Sequence, residues 1–192
     1  MALCNRDRRP AGDHRRRAVY VSEAVGAVFM VAVGSALHFA FAWASGWQPL
    51  ALVAAVNESI WEHLKLAFWP GVLWAALVPP PDGRGRARAL AAKGGSLLMA
   101  AGLIVAIFTS YTEILGDNFL VLDIGTFVVA VFAGQAVSAW LMVRMPDRQG
   151  PVRFGLALLA AQFAAYGLFT FFPPDHWLFI ETHTGMRGIP TS

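Results

Sequence analysis

The sequence predicts an all-α polytopic membrane protein, a bundle of about five transmembrane helices, and three observations carry that expectation. Of its 192 residues, 57% are hydrophobic and only 14% charged, whereas a soluble domain has roughly a quarter charged. Five apolar stretches approach the roughly 20 residues that an α-helix needs to cross a hydrocarbon core about 30 Å thick. Nearly all the Lys and Arg residues fall in three clusters that alternate with these stretches. The mean hydropathy of +0.53 and a pI near 9.5 fit a basic, bilayer-solvated chain.

A basic arm, residues 1–18, precedes the first stretch, Val19 to Ala44. That stretch is too long for a signal peptide and lacks a small-residue cleavage pattern followed by a soluble domain, so it is expected to remain. Within it Gly34, Ser35, His38, Ala42 and Ser45 recur at helical spacing, a stripe that admits a close neighbour and turns His38 inward. The second stretch is continuously apolar only over Leu64 to Val78 and contains Pro70. A full crossing must therefore begin inside the polar run NESIWEHLK, residues 57–65, or recruit Leu50 to Val56. Ser59 followed by Glu62 has capping-box spacing, which starts a helix near Ile60. At about 100° per residue, Glu62, Lys65 and Trp69 share one stripe and His63 points away from Glu62.

The third stretch runs from Gly94 to Thr109, and Glu113 follows it in the loop TSYTEILGDN. The fourth runs from Phe119 to Val143, with Asp123 one turn from its start at a depth similar to His38 and Thr126 on a neighbouring face. The fifth runs from Phe154 to Phe172. The remaining tail, residues 173–192, is too apolar and aromatic to be a free polar end, and is expected to pack back over the 19–172 bundle.

Charge sets the orientation. Arg6, Arg8, Arg9, Arg15, Arg16 and Arg17 precede the first stretch, Arg84, Arg86, Arg88 and Lys93 separate the second and third, and Arg144, Arg148 and Arg153 separate the fourth and fifth. Five crossings place all three clusters on one side, and the positive-inside rule makes that side cytoplasmic. The expected topology is N-in/C-out in a bacterial-type inner membrane, with only Lys65 and Arg187 toward the exterior. Because orientation accounts for the arginines, the expected partner is the lipid bilayer rather than nucleic acid. Gly94, Gly95 and the Ala-rich faces of the third and fifth stretches would also allow a homodimer.

Several chemistries are excluded. The single Cys4 rules out a disulfide framework, no P-loop is present, and no G-x-S-x-G surrounds Ser35 or Ser59. Ionisable residues in the inner half are almost limited to Glu23, so no continuous proton or ion relay is visible.

On the predicted topology Glu58, Glu62, Glu113, Asp117, Asp123, Asp175 and Glu181 gather toward the outer side with His38, His63, His176 and His183. Ionisable groups at membrane depth are costly and mark functional sites. Imidazole with carboxylate suits Zn or Fe, so His38, His63, His176, Asp123 and Glu113 are the candidate metal ligands. Glu62 or Glu58 is the candidate general base, and Asn57, Trp61 and Lys65 the candidate ligand-binding groups. The pattern is not H-E-x-x-H, since the adjacent Glu62 and His63 offer only one well-aimed ligand to any one centre. A purely structural reading has Glu62 capping the helix and pairing with Lys65, Trp61 and Trp69 in an interfacial belt, and His63 donating to a loop carbonyl. Three functional classes follow: a binding, sensing or transport-accessory protein for a metal or small ligand; an intramembrane metal-dependent hydrolase acting on a lipid or lipid-linked group; and a structural or assembly protein.

The segments H-F-x-F-x-W at His38 to Trp43 and V-N-E-S-I-W-E-H-L-K-L-x-F-W-P at Val56 to Pro70 resemble a family of small bacterial multi-pass membrane proteins of uncharacterised function. Its marker is P-V-N-E-S-x-W-E-H-x-K, with Ala55 here in place of the proline, and Gly188-Ile189 resembles its Gly-Ile ending. The resemblance implies a shared outward-facing site involving His38, Asn57, Glu58, Trp61, Glu62, His63 and Lys65. A looser similarity of site chemistry links the chain to membrane zinc hydrolases of the alkaline ceramidase kind, which have seven helices and paired C-terminal histidines.

Overall fold

The computed structural model describes residues 11–146, 148–181 and 184–190. Cys4, Arg6, Arg8, Arg9, Asp7, Asp147 and His183 lie outside the described residues. The chain forms five α-helices: α1 (Ala11–Trp43), α2 (Ile60–Leu77), α3 (Arg86–Leu115), α4 (Leu120–Arg144) and α5 (Gln149–Phe171). Two 3-10 turns, Gln48–Leu52 and Trp177–Phe179, punctuate the α1–α2 connection and the tail. No strand forms among the described residues; Ile180 and Arg187 make one isolated antiparallel bridge.

Four helices, α1, α3, α4 and α5, are long and apolar enough to cross a bilayer. They turn large apolar side chains outward, among them Val21, Val25, Val28, Val129, Phe132 and Trp140, while Lys65 and Lys93 are fully buried. That arrangement inverts a soluble protein's and suits a hydrocarbon solvent. At 18 residues α2 is about 27 Å long, close to the hydrocarbon thickness. Half of it, including Glu62 and Lys65, is enclosed by the other helices.

Three helices begin earlier than their apolar stretches: α1 at Ala11, α3 at Arg86 and α5 at Gln149. Hydropathy marks only the apolar part of a helix, whereas the polar, arginine-bearing N-terminal turns that continue it escape that measure. Lys93 is consequently not in a loop. It lies inside α3, where its Nζ meets Glu23 Oε2 of α1 at 2.6 Å and donates to Gln135 Oε1 of α4. Gln135 Nε2 closes the triad by donating to the Glu23 carbonyl at 3.2 Å. Arg88 likewise reaches from α3 to the carbonyls of Met142, Met145 and Pro146, satisfying the otherwise orphaned C-terminus of α4.

Glycines set the helix spacing. A Cβ on Gly94 would lie 1.9 Å from the Gly155 carbonyl oxygen and one on Gly155 would lie 2.3 Å from that of Ala91, so α3 and α5 cross backbone to backbone. Gly94 is thus used within the chain. Pro70 has no N–H to donate to the Leu66 carbonyl, and α1 approaches that same carbonyl at Gly34, where a Cβ would lie 2.6 Å from the oxygen. This approach brings the last turns of α1 beside the first turns of α2.

Candidate metal centre

NESIWEHLK enters α2 with Ser59 as N-cap, as its spacing predicts, but the capping box does not close. Ser59 N donates to Asn57 Oδ1 at 2.9 Å, and the Glu62 carboxylate instead accepts from Val56 N at 3.1 Å. Glu62 is drawn away because its helical stripe faces α5. There Lys65 Nζ lies 2.6 Å from Glu62 Oε2 and donates to the Ala51 carbonyl at 2.7 Å and to Thr170 Oγ1 at 2.9 Å. Thr170 Oγ1 in turn donates to the Tyr166 carbonyl at 2.9 Å, satisfying its own helix. Every member of this network is buried. It ties the 3-10 turn Gln48–Leu52 to α2 and α5.

Two further motif residues hold the tail. Asn57 Nδ2 donates to the Gly188 carbonyl at 2.9 Å, and Trp61 packs against Phe179 at 4.7 Å and Tyr166 at 4.9 Å. Gly188 sits at φ +66, a conformation that side chains disfavour, and Ile189 packs beside Phe41 and Val56.

Glu58 and His63 face the opposite way, toward α1 and α4. His63 Nδ1 lies 2.8 Å from the Ser59 carbonyl, an acceptor only, so that nitrogen carries a proton and Nε2 is the atom left to meet Glu58 or a metal. His63 Nε2 lies 3.4 Å from Glu58 Oε2, and His38 Nε2 lies 3.7 Å from Glu58 Oε1. One ligand atom from each residue falls within 4.8 Å of the others. Ligands arranged tetrahedrally around zinc at about 2.0–2.1 Å are separated by roughly 3.3–3.4 Å, a spacing the two His–Glu58 pairs approach, and closing all three ligand atoms to it would seat one ion among them. Two imidazoles and a carboxylate supply three protein ligands and leave a fourth position open.

The cluster borders two cavities. One, of about 130 Å³, lies between α2, α3 and α4 and is lined by Glu58, His63, Asp123 and Thr126 among others. The second, of about 220 Å³, lies between α1 and α4 and is lined by His38, Glu58, His63 and Asp123 with mostly apolar neighbours. The Asp123 carboxylate is fixed by the Tyr111 hydroxyl on one oxygen and by Asn118 Nδ2 at 3.1 Å on the other.

Of the sequence-derived ligands, His38, His63 and Asp123 therefore converge, joined by Glu58. Glu113 instead lines a separate groove near Trp177 and Ile180. His176 belongs to the tail, where Nδ1 accepts from Leu178 N at 3.3 Å and the ring packs against Trp177. Tyr111, Asn118 and Thr170 were not singled out in the sequence. Thr170 is a polar residue inside the aromatic run LFTFF, and Gln135 one inside an apolar helix, so composition alone could have flagged both.

No curated protein and no solved structure matches the chain. Over residues 13–189 it matches the family of unknown function DUF6512, and the chain belongs to that family.

Proposed function

We propose that this is an integral membrane protein that binds a divalent transition-metal ion of the zinc or iron class through His38, Glu58 and His63, in a binding, sensing or transport-accessory role. The observation that carries the reading is the convergence of two imidazole Nε2 atoms on one carboxylate, with the His63 tautomer fixed by the Ser59 carbonyl. The arginines at 15–17, 84–88, 144, 148 and 153 favour a cytoplasmic location for the N-termini of α1, α3 and α5, so the metal centre faces the non-cytoplasmic side of a bacterial-type inner membrane crossed five times. Glu62 and Lys65 act as structural groups in this account, and Asn57 and Trp61 hold the tail in place.

Elemental analysis of untagged protein purified in mild detergent without chelator tests the assignment. About one equivalent of zinc or iron is expected, lost in His38→Ala and in His63→Ala but retained in His176→Ala and Glu113→Ala. A well-folded protein without metal, or metal lost only with His176 or Glu113, would contradict it.

A specific observation supports hydrolysis as a second reading: Asp123 is a carboxylate that borders both cavities beside the three ligands. A metal held by His38, Glu58 and His63 would supply Lewis-acid activation of water and of an ester or amide carbonyl, and Asp123 would take the attacking water's proton and return it to the leaving oxygen or nitrogen as the carbonyl–heteroatom bond breaks. Glu62, 2% exposed and bonded to Lys65, is not available for that step.

A further inference from the structure

The larger of the two cavities carries exposed apolar side chains in its lining beside the polar cluster. Among its lining residues, Phe39 of α1 and Leu120 and Ile124 of α4 are 52%, 74% and 56% exposed on helices long and apolar enough to cross a bilayer. Phe39 lies four residues before the end of α1, and Leu120 is the first residue of α4. At about 1.5 Å per residue these side chains lie within one turn or so of the helix ends, the depth at which a bilayer passes from headgroup to hydrocarbon. At about 220 Å³ the cavity is smaller than the roughly 300–1,000 Å³ that encloses a whole drug-sized ligand, so an occupant places only one end inside. It is also lined by His38, His63 and Asp123 and by Glu58, whose side chain is 56% exposed.

Charge narrows the class of that end. A divalent ion on the three ligands is balanced by the Glu58 and Asp123 carboxylates, leaving the loaded centre close to neutral. An anionic headgroup would therefore meet no net attraction, whereas a neutral oxygen donor could take the open coordination position.

Resting on the metal-site reading, we infer that the site takes a membrane-resident amphiphile with a neutral oxygen head, an ester or amide carbonyl or a hydroxyl, which enters laterally between α1 and α4 with its acyl chain left in the bilayer. The Phe39, Leu120 and Ile124 rim sets the route, and the metal sets the head.

The test uses the full chain in lipid nanodiscs loaded with Co²⁺, whose visible absorption reports its coordination, and titrates 1-monolauroylglycerol. A saturable spectral change is expected. Ile124→Trp, which plugs the rim, is expected to weaken it about tenfold with bound cobalt unchanged, while Val129→Trp, equally exposed on α4 but outside the cavity lining, leaves it intact. Cobalt bound with no spectral response, or an equal response in wild type and Ile124→Trp, would overturn lateral entry while sparing the metal site. Failure of the wild type to bind cobalt would overturn both readings.

Discussion

Lys65 has no exposed surface, and a lysine so placed persists only because Glu62, Ala51 and Thr170 satisfy its ammonium. Lys65→Ala would leave the Glu62 carboxylate buried without its cation, and a loss of about 3–5 kcal/mol is expected in detergent unfolding. Replacing both, Lys65→Met with Glu62→Leu, is expected to recover most of that loss, because an apolar pair of similar volume has no desolvation penalty. If the double variant is as unstable as the single one, the pair does more than fill the interface. At the proposed metal centre, Glu58→Gln keeps the shape but halves the carboxylate's donor chemistry, and zinc affinity is expected to fall by at least about tenfold in chelator competition. Much of this was legible at the residue scale. The Ser59 N-cap follows from capping-box spacing, and the divergent aims of Glu62 and His63 and the pairing of Glu62 with Lys65 follow from 100° steps along one helix. The Ala51 carbonyl and Thr170 did not, because they come from segments 14 and 105 residues away and nothing local points to them.

Among elements, the decisive contact is that of α1 with α2. Gly34 meets the carbonyl that Pro70 leaves without its helical partner, and this close approach sets His38 opposite His63 with ring centres 5.2 Å apart. Gly34→Val is therefore expected to push the helices apart and lower metal affinity about tenfold or more, although no ligand is altered. Unchanged affinity would mean that the histidines are positioned by something other than this crossing. The stripe through Gly34 and His38 made this interface readable in advance. The α3–α5 crossing at Gly94 and Gly155 was not, since glycines in apolar helices look alike whether they face a neighbour in the same chain or in another. The start of α3 was misplaced for a related reason. Lys93 looks like a loop charge when hydropathy is the guide, and only the partners Glu23 and Gln135, supplied by α1 and α4, make it an interior residue.

For the whole molecule, the NESIWEHLK run and the described part of the tail prove to be two halves of one assembly. Asn57 and Trp61 clasp Gly188 and Phe179, Glu62 and Lys65 bind the α1–α2 connection to α5, and Glu58 and His63 complete the site with His38. So much polarity crowds into nine residues because each pair serves a different neighbour. The proposed five-pass, N-in/C-out arrangement leads to a direct expectation. In intact spheroplasts of a Cys4→Ser background, a membrane-impermeant thiol reagent should label Asp117→Cys and spare Gly150→Cys, and the reverse labelling would invert the topology. The central claim is that one metal ion sits among His38, Glu58 and His63. Crystals of the zinc-loaded protein, measured on both sides of the zinc absorption edge, test it most directly. The account predicts a single anomalous peak about 2 Å from both Nε2 atoms and the Glu58 carboxylate. A peak at Glu113 or His176, or none in zinc-soaked crystals, would contradict it.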